Sequence, residues 1–184
     1  MSRRLPVFCL FLCVLFINNL ARAAKPIIAI FNLRPTNIEA LGYDGELLYS
    51  LVSALTRDNS IEIMPRREME DALLQAGLTQ SDNPDHALQA GKALGVNYVL
   101  IGQVSKQDLQ IKTRLHLLSV AQGRIIKTWS PVFSGREDIL NKAPGLARTI
   151  VEALHAKQST ILHIAHTQKP KIQIKIKNLK AACK

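Results

Sequence analysis

Histidines, clustered acids and one glycine–lysine step are the residues whose types and spacing could carry chemistry. His163 and His166 lie three apart, so a helix would set both on one face, with His155 about two turns earlier. A catalytic zinc site needs three protein ligands of fixed geometry. No acid follows Glu152 to complete such a set, so no metal site is expected. Glu68, Glu70 and Asp71 share a predicted helix with Arg66 and Arg67. Acids in a first turn suit the helix dipole, and no paired carboxylate here has a reason to titrate abnormally. Gly91-Lys92 resembles the end of a phosphate-binding loop. That loop needs Gly five residues earlier and Ser or Thr after the Lys, where His86 and Ala93 stand. No dinucleotide-binding glycine fingerprint follows the first strand, and no G-x-S-x-G nucleophile turn occurs. No catalytic residue and no cofactor are expected, and an enzyme is not.

The elements that would position any site follow from periodicity. Lys25 to Asn32 reads as a strand buried on both faces, and Asn32 to Asn37 as a loop. Leu48, Leu51, Val52 and Leu55 mark one face of a helix. Ile61 to Met64 is a short second strand. Met69, Ala72, Leu73 and Ala76 mark a second helix, which Gly77 ends. Asn83-Pro84 is an N-cap with Pro at the first helical position, opening a helix whose face is small: Ala87, Ala90, Gly91 and Leu94. Gly95 stops it in the left-handed conformation that other residues resist. Tyr98 to Gly102 is an apolar run, read as the central strand around Leu100. After a turn at Lys106-Gln107-Asp108, the residues Leu109, Ile111, Thr113, Leu115 and Leu117 alternate with Gln110, Lys112, Arg114 and His116. This is a half-buried strand with His116 on its wet face. Gln122-Gly123 turns into a fifth strand, Arg124 to Phe133, marked as an edge by Pro131. A last helix runs from about Pro144 to Lys157. The fold class is therefore α/β: a mixed five-stranded sheet with helices packed on it, in the order β-α-β-α-α-β-β-β-α.

The formal charge of +10 is not spread evenly. From Ala24 to Ala156 there are 14 basic and 14 acidic residues, whereas from Lys157 onward there are seven Lys and no acid. A nucleic-acid binder carries its basic excess on the fold, so nucleic acid is excluded as a partner. The lysine-rich end offers peripheral contact with membrane or anionic polymer, or a solvated arm. At the other end Arg3 and Arg4 precede an apolar run from Val7 to Ile17, and Ala21-Arg22-Ala23 is a small-x-small site. That is the pattern of a cleaved export signal, with the mature chain starting at Ala24. Leu12 and Phe8 before the two early cysteines rule out a lipoprotein signal. Only Cys183 remains, a free thiol or one whose partner lies further along a longer chain. The expected division is a signal at 1–23, an α/β domain at 24–158, a linker at 159–170 and a lysine-rich strand or arm at 171–184. In that arm Lys171 to Lys177 alternates strictly with Ile172, Ile174 and Ile176.

Three motifs carry a family resemblance over about residues 25 to 157. Met64-Pro65-Arg66-Arg67-Glu68 through Gln75-Ala76-Gly77-Leu78 is similar to a segment of curli-channel (CsgG-like) proteins. Gly95-Val96-Asn97-Tyr98-Val99-Leu100-Ile101-Gly102-Gln103-Val104 resembles a signature shared with TolB amino-terminal-like, flagellar FlgO-like and penicillin-binding-protein activator (LpoB-like) domains. Ala121-Gln122-Gly123-Arg124-Ile125-Ile126 is similar to their hairpin. The resemblance implies a cell-envelope setting, protein binding and no catalysis. It lacks the curli channel's membrane hairpins and TolB's propeller. Two functions follow from it: a periplasmic interaction module that helps assemble an envelope structure, or a subunit of an outer-membrane secretion complex.

Overall fold

The computed structural model describes residues 25–167, with side chains described for 25–156. Ala21, Ala23 and Ala24 of the cleavage site, the lysine-rich arm and Cys183 lie outside the described residues, as do the side chains of His163 and His166. Two ten-residue strands and five shorter ones form one mixed seven-stranded sheet. The elements are β1 (Ile27–Ile30), β2 (Arg34–Pro35), a 3-10 turn (Ile38–Ala40), α1 (Tyr43–Thr56), β3 (Glu62–Ile63), α2 (Arg66–Gln75), α3 (Pro84–Ala93), β4 (Tyr98–Gln107), β5 (Gln110–Ser119), β6 (Arg124–Trp129), β7 (Val132–Phe133) and α4 (Arg136–Thr167).

The main path of the sheet is β3-β1-β4-β5-β6, the five strands that the patterning implies. β1 pairs in parallel with β3 and β4, and the β4–β5 and β5–β6 pairs are antiparallel. Two further strands of two residues join it, β2 beside β4 and β7 beside β5. Among the described residues each face of the sheet carries its own core. On one face α1 and α4 pack Leu47, Leu51, Leu55, Ile150 and Leu154 onto Ile28, Leu100, Leu115 and Leu117. On the other, α2 and α3 pack Met69, Leu73, Ala87 and Ala90 onto Ala29, Phe31, Val99 and Ile101. Leu100 is fully buried.

Glycines set two of these contacts. A Cβ at Gly102 would stand 2.6 Å from Leu115 Cδ2 and 2.7 Å from the Arg114 carbonyl oxygen. A Cβ at Gly91 would stand 2.6 Å from Val99 Cγ2, so the small face of α3 is what lets it lie on β4. Gly77, Gly95 and Gly123 have φ of 66°, 66° and 63°, placing them in the left-handed turns after α2, after α3 and before β6.

Several boundaries differ from those the patterning implies. The last helix begins at Arg136 instead of Pro144 and runs past Lys157 to Thr167. Pro144 thus sits inside it, where its ring normally breaks a helix. The residue whose carbonyl loses its partner there is Leu140, which is 54% exposed, so water is at hand. Buried Ile139, Ala143, Ala147 and Ile150 hold the turn around it to the sheet. The stretch read as loop after β1 contains β2, because Thr36 N–H donates to the Val104 carbonyl at 2.8 Å. Pro131 divides the fifth strand into β6 and β7, and its carbonyl still accepts from Thr113 N–H at 3.0 Å. β4 continues to Gln107, so the turn begins at Asp108, with φ of 54°. Leu109, assigned by alternation to the dry face, lies in that turn and is 82% exposed. The buried stripe of α1 is Leu47, Leu51 and Leu55, with Leu48 and Val52 at its margin.

The two glycine environments predict opposite signs. Gly102→Ala must push Leu115 or the β5 backbone and should cost about 1–3 kcal/mol. Gly45→Ala in α1 meets nothing within 4 Å and should gain up to about 1 kcal/mol of helix propensity. Denaturant midpoints of the two variants check both.

Candidate functional site

In an open α/β sheet the crevice at the carboxyl end of the strand where connections diverge is the usual ligand site. Here that strand is β1, with β3 on one side and β4 on the other. Its crevice is filled by the chain itself. Arg66 Nη2 donates to Asn32 Oδ1 at 2.6 Å, and Asn32 N–H donates to Gln80 Oε1 at 2.7 Å. Beside them Gln103 Nε2 donates to Asp82 Oδ2 at 2.7 Å, and Arg34 pairs with Asp82 at 3.3 Å. The Asp82 side chain is 15% exposed. The Gln103 hydrogen bond, then Arg34, holds its carboxyl below the ordinary value. Of the acids singled out from sequence, Glu70 accepts from Arg66 Nε at 2.7 Å and Asp71 lies 3.9 Å from Arg67. These are surface pairs of successive helix turns, worth a few tenths of a kcal/mol.

One constellation looks nucleophilic. Ser60 Oγ stands 2.7 Å from His155 Nε2 and also contacts Asp58 Oδ1. Asp58 Oδ1 further accepts Ser60 N–H at 2.8 Å, which closes a tight turn after α1. In a catalytic triad the acid orients the histidine, which takes the serine proton. In this cluster the acid bonds the serine. The Ser60 hydrogen bonds hold the Asp58 carboxyl below its usual range. Among the described residues no group of three or more His, Cys, Asp or Glu could hold a metal ion. His116, assigned to a wet face, is half-buried with Nδ1 2.8 Å from Thr128 Oγ1, and burial, then Arg114, pushes its pKa down.

The remaining candidate is the end of the fold beyond the β4–β5 turn. Asn37 clamps the loop after β2 to β4: its Nδ2 donates to the Lys106 carbonyl at 2.6 Å and its Oδ1 accepts Lys106 N–H at 3.1 Å. Tyr43 at the start of α1 lies under Lys106 and Arg136, 5.1 and 5.7 Å from its ring centre. Arg136 also pairs with Glu46 at 3.2 Å, and Lys142 Nζ donates to the Val132 carbonyl at 3.4 Å. Ile38, Leu41, Leu109, Val132 and Leu140, all large, apolar and exposed, lie on the segments that these contacts tie together. Ile38 is 81% exposed. Next to them a shallow groove of about 310 Å³ is lined by Thr36, Gln103, Ser105, Lys112, Arg114 and Ser130. Arg114 has no acidic partner among the described residues. The arrangement offers apolar anchors beside polar and cationic groups, and so can bind.

Sequence reasoning located Leu100 and the glycines but missed this end. The available signal was an apolar residue, Leu109, next to a turn aspartate.

No protein-family profile and no curated protein matches the sequence. Solved structures do share its shape. The LpoB C-terminal domain from Escherichia coli superposes with a TM-score of 0.53 at 19% identity, covering 60% of this chain and 84% of that one. The LpoB C-terminal domain from Salmonella enterica gives 0.50 at 16% identity, covering 66% and 92%. TolB from Acinetobacter baumannii gives 0.49 at 18% identity, covering 71% of this chain and 28% of that one. At these identities the likeness to the LpoB domains is one of fold. The resemblance to curli-channel and flagellar domains rests on sequence motifs alone.

The Asp82 network predicts a pH dependence. A carboxyl whose folded pKa lies below its unfolded value contributes stability above the unfolded pKa, near 4, and loses it as pH falls through the folded value. Gln103→Leu should therefore cost about 1.5–3 kcal/mol at pH 7 and clearly less at pH 3. Thermal melts of wild type and variant at the two pH values check this.

Proposed function

We propose that this chain is a non-catalytic interaction module of the bacterial cell envelope, exported by cleavage after Ala23 and binding a protein partner through the end of the fold beyond the β4–β5 turn. The observation that carries the reading is that Ile38, Leu41, Leu109, Val132 and Leu140 are exposed on segments that the Asn37–Lys106 clamp, the β5–β7 pairing and the Lys142–Val132 contact tie to that end. Exposed large apolar side chains that cluster, rimmed by polar groups, mark protein contact sites. The LpoB-like fold supports the envelope setting. The motif resemblance to activators of penicillin-binding proteins supports assembly of the wall as the process served. In this reading the domain begins at Ala24 and includes all of α4, so the stretch expected as a linker from 159 is helix as far as Thr167, and the lysine-rich arm is an accessory contact for anionic surface. A secretion-complex subunit is the second reading, and ring-shaped oligomers in detergent extracts would favour it.

Site-specific photocrosslinking tests the reading. A photoreactive side chain at Leu109 or Ile38 should give one discrete adduct with an envelope protein, and one at Arg67 on α2 should give none. Ile38→Asp with Leu109→Asp should abolish the adduct formed from Leu41 while leaving the melting temperature within about 2 °C, since surface changes away from the core are worth under about 0.5 kcal/mol. Equal adducts from Leu109 and Arg67 would contradict it.

A further inference from the structure

β6 ends the main path of the sheet, and its outer edge carries no strand among the described residues. Between that edge and α4 runs an open groove of about 700 Å³, lined by Ile126, Trp129, Ala153 and Ala156 with Lys127 and Glu152 at its rim. Ile126 and Trp129 are partly buried against the core of the α1–α4 face. The strand exposes unpaired backbone donors and acceptors, and the groove beside it takes apolar side chains. Those are the two requirements for adding an extended segment to a sheet edge.

Crossover hand, chain reach and charge separate three occupants. The chain's own arm, Lys171 to Lys177, would follow β6 through α4. β6 runs parallel to β1, two antiparallel steps beyond β4, and α4 lies on the same face as α1. β3 lies on the opposite side of β1 from β4. A parallel strand outside β6 would therefore make a crossover of the opposite hand to β1–α1–β3, and the hand of such crossovers is right in nearly all sheets. Antiparallel addition would need residues 168–170, which reach about 10 Å, to run the length of β6, about 20 Å. The arm, 171–184, also has five Lys and no acid, against Arg124 and Lys127 on the strand. A second copy, pairing β6 with β6, sets the same two cations on both sides of the ladder with no acid on either strand. Like charges across a ladder oppose pairing. Lys127 has no ion-pair partner among the described residues.

We infer that the β6 edge is a strand-addition site for an extended, acid-bearing segment of another protein, whose apolar side chains enter the groove over Trp129 and Ile126. The inference rests on the reading of the chain as an interaction module but on a different face from the end beyond the β4–β5 turn. Its test uses the chain from Ala24 labelled with nitrogen-15 and two capped heptapeptides alternating valine with threonine, each with one groove-facing valine replaced, by glutamate in one and lysine in the other, to fall beside Lys127. The glutamate peptide should give saturable amide shifts at 124–129 and at the indole of Trp129, the chain's one tryptophan. The lysine peptide should bind at least tenfold more weakly. Lys127→Glu, at an exposed position, should abolish or reverse that preference. Equal binding of the two peptides, no saturable shift at 124–129, or shifts at 124–129 on deleting residues 168–184 would each overturn the inference. A dimer lost in Lys127→Glu would overturn it as well. An unresponsive β6 edge together with a discrete adduct from Leu109 would sink this inference alone and leave the interaction reading standing.

Discussion

β4 has to be buried on both faces at once, and the rest of the molecule is arranged around that requirement. Tyr98, Val99, Leu100 and Ile101 are each at most 4% exposed. Alternate side chains of one strand thus belong to different cores, Leu100 to the α1–α4 face and Val99 and Ile101 to the α2–α3 face. Each such side chain is worth about 1.5–3 kcal/mol when buried. A strand of this kind needs helices on both sides, which the parallel β1–α1–β3 and β3–α2–α3–β4 connections deliver.

Close packing on β4 then dictates where side chains must be missing. α3 approaches it over Gly91, and β5 approaches it over Gly102, where the nearest atoms would stand under 3 Å from an added Cβ. The helical cover stops before the strand does. Beyond Gly102, Gln103 and Ser105 turn one face of β4 outward and bind polar partners instead. The apolar anchors of the far end exist because β4 and β5 run on past their helices as a hairpin, with Leu109 at its tip. On the opposite margin the antiparallel additions end at β6, which has α3 against one face and the α4 groove on the other. Both proposed contact surfaces thus lie at margins of the sheet.

Sequence patterning shows the parts of this that are local. The apolar run from Tyr98, the Asn83 cap that accepts from Asp85 and His86 N–H, and the left-handed glycines are properties of a few neighbouring residues. The alternation of β5 is legible up to its first residue, but alternation assumes that the sheet continues, so it places Leu109 on the wrong side of a turn. Pro144 hides the first two turns of α4, because tertiary packing of Ile139 and Ala143 overrides a residue that ends most helices. The pairs Arg34–Asp82, Arg66–Asn32 and Ser60–His155 join residues 48, 34 and 95 positions apart, and no spacing rule reaches them.

A fold of this build keeps a rigid centre and leaves the proposed contacts on its margins, where local opening costs least. The central claim is that β4 is the last element to open. Native-state hydrogen exchange measures it directly. Amides of Val99, Leu100 and Ile101 should be the slowest to exchange, with an opening free energy equal to that of global unfolding in denaturant. Faster exchange in β4 than in α1 or α4 would contradict the account, because the helices would then hold together without the strand they are supposed to cover.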